Sequence, residues 1–180
     1  MMTNFTFYTP ETAPEEAKPI LEEIKKGFGF IPNLFAYMAE APTTLEAYLT
    51  LNDIIEKTSL SPAQQQVALL AASVENECDF CTIAHRAVGK MKKANQQTLD
   101  ALNKNQQIED SKDAALAKFT QTIIKDRGRI SDSAINDFLS AGFTKQQILE
   151  VMIIVSIKTL SNYINHLTNP EPNDELLSMT

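Results

Sequence analysis

The residues best suited to chemistry are two cysteines and a histidine in the segment 78–85, which reads CDFCTIAH. They are both cysteines of the chain and one of its two histidines. Spacings of three and four residues place Cys78, Cys81 and His85 on one side of a helix. Two thiols one turn apart can close a disulfide ring, and a histidine one turn further on can accept a thiol proton. Because the thiolate is the reactive form of cysteine, the segment predicts a dithiol redox site.

Other interpretations of the cysteine pair stay open. A zinc site needs a fourth ligand or a water, and only His166 or a carboxylate remains to supply one. A structural disulfide across so few residues would constrain the unfolded chain very little. The cysteines could also be buried and unreactive. His85 alone would be interpreted as a core histidine, and His166 is expected to hydrogen-bond helix ends or a neighbouring subunit rather than to act in catalysis.

Composition narrows the class of protein. A chain of 180 residues with 43% hydrophobic and 22% charged residues predicts one domain over residues 1–180. A net charge of −7 without lysine or arginine clusters argues against binding to nucleic acid or to an anionic membrane. The N-terminal sequence lacks the features of a secretory signal, and the longest apolar run, 151–157, is too short to span a bilayer. We therefore expect a cytoplasmic protein, in which a close cysteine pair is more often catalytic or metal-binding than structural.

Helical periodicity predicts an all-α domain that positions the cysteines. Helices are expected near residues 14–26, 34–41, 43–56, 62–75, 77–92, 95–102, 111–126, 131–140 and 144–167, with extended arms at 1–13 and 169–180. The helix 62–75 has no polar face, which is typical of a helix at the centre of a core. Asn76 is predicted to cap the next helix, whose first turns would favour thiolates at Cys78 and Cys81.

A weak internal repeat links two parts of the chain. The sequence 60–62 leads into an apolar helical stretch that ends at His85, and 143–145 leads into another that ends at His166. The repeat would be a duplicated helix pair in which only the first copy keeps cysteines.

Several segments together resemble the carboxymuconolactone decarboxylase / alkylhydroperoxidase D family, and in particular its peroxidase-related branch with the pattern CxxCxxxH. The main similarity is the stretch 60–85, with its LSP start, apolar helix and CDFCTIAH. Supporting similarities are GFIPNL at 29–34, AP at 41–42, AGFT at 141–144 and SNY at 161–163. The resemblance implies a single-domain all-helical fold and assembly into trimers or hexamers.

The resemblance also implies an antioxidant activity, the reduction of organic hydroperoxides. Cys81 would be the attacking thiolate, Cys78 its resolving partner and His85 the group that draws off the proton. In the best-understood members a glutamate twelve residues before the first cysteine and a histidine between the cysteines join this relay, and here those positions are Gln66 and Phe80. Gln66 can hold a water by hydrogen bonding but cannot shuttle a proton as a carboxylate does.

Two functions of different classes follow. The first is a thiol-dependent peroxidase or disulfide reductase, with a hydroperoxide substrate and a thiol, lipoyl or thioredoxin-like reductant. The second is a non-catalytic, redox-sensing or structural helical oligomer. This alternative is considered because Gln66 and Phe80 occupy the two positions where the best-understood members have proton-relay residues. Lactone decarboxylation is a third option, and the CxxC pair argues against it because that chemistry has no evident need for a dithiol. No bound cofactor or metal is expected, since no glycine-rich phosphate loop occurs.

Overall fold

The computed structural model describes residues 4–180, which form ten helices and no strand. In chain order the helices are α1 Lys18–Phe28, α2 Asn33–Met38, α3 Pro42–Ile55, α4 Pro62–Glu75, α5 Asp79–Met91, α6 Gln96–Asn103, α7 Ser111–Lys125, α8 Asp132–Ser140, α9 Lys145–Thr168 and α10 Asp174–Met179. The predicted all-α fold is confirmed, and the bounds of α4 agree with the prediction from sequence.

The apolar helix α4 lies at the centre of the core, as its sequence predicts. It packs against α5, α6, α7 and α9, and its residues 65–73 are all buried. One cluster of buried side chains joins α4 to α7, α8 and α9, and a second joins α1, α2, α3, α5 and α10. Cys78 and Cys81 belong to the second cluster, so the cysteine pair lies in the interior.

The long helix α9 also runs through the interior. It is the one helix within residues 4–180 that is long and apolar enough to cross a membrane by length and composition alone. Its buried residues include Glu150, Lys158, Asn162 and Asn165, whose polar groups face other parts of the protein. Core helices of soluble proteins share this composition, and α9 contacts α2, α3, α4, α5 and α7. The cytoplasmic location stays a prediction.

The two halves of the proposed repeat begin alike and then differ. Both α4 and α9 start with a capping box, in which Ser61 pairs with Gln64 and Thr144 pairs with Gln147. The first half then breaks between α4 and α5, whereas α9 continues without interruption. The second half is therefore one helix and not a helix pair.

The predicted C-terminal arm at 169–180 is wrong, because α10 occupies Asp174–Met179 and buries Leu176. The side chain of Asn173 fixes this segment. Its Oδ1 accepts from the Asn33 backbone amide at 2.8 Å, and its Nδ2 donates to the Ile31 carbonyl at 3.2 Å. These contacts join residues about 140 positions apart, which a local pattern cannot show. Residues 1–3 of the predicted N-terminal arm lie outside the described range.

The first helix begins at Lys18 rather than at Pro14. Pro19 occupies its first turn, where the missing amide hydrogen costs no helical bond. The helix ends at Gly29, which has φ 84° and donates its amide to the Lys25 carbonyl at 2.9 Å. That left-handed conformation favours glycine and turns the chain towards α2.

Candidate active site

The cysteine pair straddles the start of α5. Cys78 is the N-cap residue, with φ −99° and ψ 95°, and Cys81 is the third residue of the helix. The expectation that Asn76 caps α5 is wrong, since Asn76 ends α4. Glu77 follows with φ 54°, and the amides of Glu77 and Cys78 donate to the carbonyls of Val74 and Ser73. This Schellman-type ending of α4 moves the start of α5 by two residues and places Cys78 at its head.

Both thiols are buried and adjacent, and they have opposite acidities. Burial would raise the pKa of Cys81. Three influences outweigh burial and lower this pKa to about 6: the hydrogen bond from Cys78, the positive charge of Lys158, and hydrogen bonding by Lys158 and Asn162. The hydrogen bond to Cys81 and burial raise the pKa of Cys78. The geometry therefore makes Cys81 the thiolate and keeps Cys78 as the protonated partner.

Two residues of α9 contact this centre. Asn165 Nδ2 donates to Cys81 Sγ at 3.0 Å and to the Ser161 carbonyl at 2.9 Å. Lys158 is only 1% exposed, and no carboxylate of residues 4–180 pairs with it. A buried ammonium needs a counter-charge, and the Cys81 thiolate is the anion that its field stabilises.

The side chains of Gln66, His85 and Lys158 form a chain of hydrogen bonds. His85 Nδ1 lies 3.0 Å from Gln66 Oε1, and His85 Nε2 lies 2.9 Å from Lys158 Nζ. An ammonium only donates, so Nε2 accepts and the ring hydrogen is on Nδ1, facing the amide oxygen. Burial and the positive charge of Lys158 hold the pKa of His85 well below its ordinary value. His85 is therefore a neutral acceptor that holds the lysine.

The structure thus brings Cys78, Cys81, His85 and Gln66 together and adds residues that sequence reasoning missed. Lys158, Asn162 and Asn165 all come from α9, and Tyr48 comes from α3. Burial and the negative charge of Cys81 raise the pKa of Tyr48, which keeps its hydroxyl protonated. The one available signal was that Lys158 directly follows the apolar run 151–157. His166, in contrast, is exposed on α9.

Cys81 lines a cavity of about 330 Å³. Its inner end includes Cys81, His85, Lys158 and Gln66. Its outer walls are mostly apolar and come from α1, α2, α3, α5 and α10, including Phe28, Phe30, Phe35, Val88, Leu176 and Met179. The site can therefore place an apolar molecule against a thiolate beside a buried cation. Within residues 4–180, no group of three or more histidine, cysteine or acidic side chains is placed to hold a metal ion.

Solved structures with the same architecture include proteins described as peroxidase-related. A peroxidase-related protein from Ralstonia eutropha JMP134, described as an alkylhydroperoxidase AhpD core, superposes with a TM-score of 0.86 at 21% identity, covering 99% of this chain and 96% of that chain. A cysteine-to-alanine variant of the debrominase Bmp8, in complex with 2,3,4-tribromopyrrole, superposes with a TM-score of 0.79 at 16% identity, covering 99% and 96%. A putative antioxidant defence protein AhpD from Agrobacterium tumefaciens has a TM-score of 0.68 at 16% identity, covering 76% and 95%.

Sequence comparison adds a match to a family model over part of the chain. No curated protein matches the chain significantly. Residues 42–119 match the model of the carboxymuconolactone decarboxylase family. That range covers α3 to α7 and includes Gln66, Cys78, Cys81 and His85, but not Lys158 or Asn165. The segment 42–119 is therefore similar to the carboxymuconolactone decarboxylase family, and the chain as a whole shares the fold of the alkylhydroperoxidase AhpD core and of another peroxidase-related structure.

Proposed function

We propose that this chain is a thiol-dependent peroxidase of antioxidant defence whose attacking group is the Cys81 thiolate. One observation carries the proposal: Cys81 lines a mostly apolar cavity, next to a buried lysine and a second thiol. A thiolate that is formed at neutral pH and shielded from water is suited to attack a weak O–O bond.

The first step transfers one oxygen atom to sulfur. The Cys81 thiolate attacks the terminal oxygen of a hydroperoxide, so that the S–O bond forms as the O–O bond breaks. The products are the Cys81 sulfenic acid and an alkoxide. The Lys158 ammonium, hydrogen-bonded to His85, faces the region where this negative charge develops, and it donates the proton that converts the alkoxide to an alcohol.

The second step forms the disulfide and needs Cys78. Its thiol attacks the Cys81 sulfenic sulfur, a disulfide forms, and the hydroxyl group leaves as water. The two cysteines have then lost two electrons, which the peroxide has gained. An external dithiol reductant, of lipoyl or thioredoxin-like chemistry, returns two electrons and two protons to restore the thiols.

The size and lining of the cavity favour an organic hydroperoxide over hydrogen peroxide. A volume of about 330 Å³ is in the range of sites that enclose small ligands, and aromatic and aliphatic side chains form most of the wall. An alkyl or aryl group bound there would keep water away from the thiolate. Such binding energy is not available to hydrogen peroxide, which has no apolar part.

Stopped-flow oxidation by cumene hydroperoxide tests the proposal. We expect the wild type to lose two thiols per chain, Cys81→Ser to react at the background rate, and Cys78→Ser to stop at a sulfenic acid that dimedone traps. Ser133→Ala, which changes an exposed side chain of α8 that does not line the cavity, is the matched control and should react like the wild type. The proposal fails if Cys81→Ser is oxidised as fast as the wild type.

Catalytic turnover separates a peroxidase from a redox sensor. Both would form the disulfide, but only the enzyme consumes many equivalents of peroxide when dihydrolipoamide or another dithiol is present. We expect repeated turnover with a rate proportional to enzyme concentration. A single oxidation without turnover would instead assign the chain to the redox-sensing alternative.

Removal of bromine from an aromatic ring is a second candidate, favoured by the aromatic wall beside Cys81. The thiolate would take bromine from a ring-protonated bromopyrrole as the C–Br bond breaks, and Cys78 would then form the disulfide and release bromide. The similarity to the debrominase Bmp8 motivates the test. Bromide release from 2,3,4-tribromopyrrole, compared between wild type and Cys81→Ser, decides whether this chain has the activity.

We also propose that the chain forms a homo-oligomer, a trimer or a hexamer. The outer face of α9 exposes four large apolar side chains at helical spacing: Leu149, Met152, Tyr163 and Leu167. Leu149 and Leu167 are each 69% exposed, which is typical of a face that a partner covers. Light scattering on the purified protein should give three or six times the mass of the chain, and Leu149→Glu with Leu167→Glu should reduce it. A monomeric wild type would contradict the proposal.

A further inference from the structure

The two cysteines line different cavities. Cys81 lines the cavity of about 330 Å³ described above, and Cys78 does not. Cys78 lines a second cavity of about 320 Å³, and Cys81 does not. Phe80, which lies between Cys78 and Cys81 in the sequence, is buried and lines both cavities. A molecule in the second cavity therefore approaches Cys78 without passing through the first cavity, the one that Cys81 lines.

The second cavity is polar and acidic, unlike the first. Three exposed carboxylates line it, those of Glu77, Asp79 and Glu171; no lysine or arginine does, and its one histidine is the exposed His166. Asn165 also lines it, is only 4% exposed, and has an Oδ1 without a hydrogen-bond partner. Buried amide oxygens are almost always paired, so this acceptor points to a ligand that brings a hydrogen-bond donor.

We propose that the second cavity is the entrance for a neutral or cationic thiol reductant, which attacks the oxidised pair at Cys78. The proposal rests on the disulfide of the proposed function and adds the sulfur that is attacked, the route to it and the charge of the reductant. The Asn165 oxygen would accept a hydrogen bond from an amide or ammonium group of that reductant.

The exchange balances as two thiol–disulfide steps. A thiolate of the reductant attacks Cys78 Sγ, the enzyme disulfide breaks, and Cys81 leaves as a thiolate. A second reductant thiol then attacks the mixed disulfide, and the Cys78 sulfur leaves and takes a proton. The enzyme gains two electrons and the reductant loses them as its own disulfide forms.

The leaving group supports attack on Cys78. Thiol–disulfide exchange is faster when the departing thiol has the lower pKa. Attack on Cys78 releases Cys81, which Lys158 and the Asn165 amide stabilise as a thiolate. Attack on Cys81 would release Cys78, to which Asn165 donates no hydrogen bond. The hydrogen bond to Cys81 and burial raise the pKa of Cys78, and the charge of Lys158 offsets them only in part.

The charge of the rim selects the reductant. Three carboxylates around one opening repel an anionic thiol and attract a cationic one, and the effect weakens as salt screens the charges. The test uses three thiols with the same two-carbon skeleton: cysteamine, 2-mercaptoethanol and 2-mercaptoethanesulfonate. The enzyme disulfide is prepared with diamide, so that the test does not depend on any reaction with peroxide.

We compare the wild type with a variant that carries Glu77→Gln, Asp79→Asn and Glu171→Gln. Each thiol's rate on the wild type is divided by its rate on this variant, which cancels differences in intrinsic thiol reactivity. At low ionic strength we expect this ratio to be about tenfold higher for the cationic than for the anionic thiol, and to approach one in high salt. A control variant with Glu22→Gln, Glu23→Gln and Glu46→Gln, all exposed elsewhere, should behave like the wild type.

Single-cysteine variants identify the sulfur that is reached. Cys81→Ser is loaded with thionitrobenzoate on Cys78, and Cys78→Ser is loaded on Cys81. When thionitrobenzoate is released from Cys78, the cationic thiol should show the highest rate ratio and the anionic thiol the lowest. When it is released from Cys81, the ratios should not depend on the charge of the thiol. The proposal would be overturned if the three thiols had equal rate ratios on the enzyme disulfide. It would also be overturned if the ratios depended on thiol charge only in release from Cys81. If peroxide does not oxidise the protein but the rate ratios still depend on thiol charge at Cys78, the peroxidase proposal fails and the proposed reductant entrance is supported.

Discussion

Lys158 Nζ donates a hydrogen bond of 2.9 Å to His85 Nε2, and this contact uses the lone pair with which the imidazole would take a thiol proton. His85 Nδ1, on the other side of the ring, faces Gln66 Oε1 at 3.0 Å. Gln66 carries no charge, so it does not favour protonation of His85. A carboxylate at position 66 would favour a positively charged imidazolium, which the positive charge of Lys158 would repel. His85 therefore holds Lys158 beside Cys81 through a hydrogen bond and has no free lone pair for a thiol proton.

Replacing Lys158 with methionine should make Cys81 an ordinary thiol. Without the cation, burial is no longer offset, and the pKa of Cys81 should rise from about 6 to at least the roughly 8.5 of a free cysteine. The thiolate fraction at pH 7, and with it the rate of alkylation by iodoacetamide, should fall about thirtyfold.

Lys92→Met is the matched control for this change. Lys92 lines the same cavity, but it is about half exposed and lies 3.7 Å from Glu56. We expect its alkylation rate to stay within about twofold of the wild type, because exposed pairs contribute little. Comparable slowing in both variants would show that Lys158 has no special role.

Asn165→Leu should weaken the thiolate without removing a charge. The substitution deletes the 3.0 Å hydrogen bond to Cys81 Sγ, and a hydrogen bond to a charged group contributes about 1.5–3 kcal/mol. We expect the pKa of Cys81 to rise by at least about one unit, measured by thiolate absorbance near 240 nm. An unchanged titration curve would mean that this contact does not stabilise the thiolate.

The lowered pKa of Cys81 should also appear in the pH dependence of stability. Burial opposes the shift, but Cys78, Lys158 and Asn162 together bring the folded-state pKa to about 6, below the roughly 8.5 of an unfolded cysteine. The stabilisation is therefore fully present above about pH 8.5 and is lost as pH falls through 6.

Urea unfolding of the reduced protein measures this linkage. The free energy of unfolding of the wild type minus that of Cys81→Ser should rise from pH 6 to 8.5, with a slope of at most about 1.4 kcal/mol per pH unit. His85 is common to both proteins, so its own titration largely cancels. A flat difference would contradict an ionised Cys81 in the folded state.

Ala84→Leu should change substrate preference. Ala84 is half-buried, lines the cavity of about 330 Å³ next to Cys81 and lies one turn after Cys81 on α5. Filling this space should slow cumene hydroperoxide about tenfold or more and hydrogen peroxide by less than about threefold, because only the larger molecule needs the volume. Thr82→Leu lies on the same helix outside that cavity wall and should leave the ratio unchanged.

Glu150→Ala should destabilise the fold that holds α9 in place. Its carboxylate accepts from the Ser59 amide at 3.0 Å and the Ser59 hydroxyl at 2.7 Å, joining α9 to the turn before α4. Leaving these donors unpaired should cost about 2 kcal/mol in urea unfolding. Glu46→Ala, an exposed glutamate of α3, should change stability by less than about 0.5 kcal/mol. Equal effects of the two substitutions would contradict the role assigned to Glu150.

The helical fold could be predicted because its signals are local. Ser61 and Pro62 mark the start of α4, and the absence of a polar face places that helix in the core. The turn after α4 was less predictable, since Glu77 adopts a left-handed conformation that usually favours glycine or asparagine. For that reason the position of Cys78 at the head of α5 was missed.

By itself the sequence determined the helices, the cysteine pair, and its spacing from His85. Only the tertiary structure decided which groups control the thiolate. Lys158 and Asn165 lie 77 and 84 residues after Cys81, and nothing in a helical pattern distinguishes a buried lysine from a solvated one. Their roles arise because α9 packs against α4 and α5 and shields the ammonium and the thiolate from water together. Long-range packing sets that shared environment, so the acidity of Cys81 belongs to the folded protein and not to its motif.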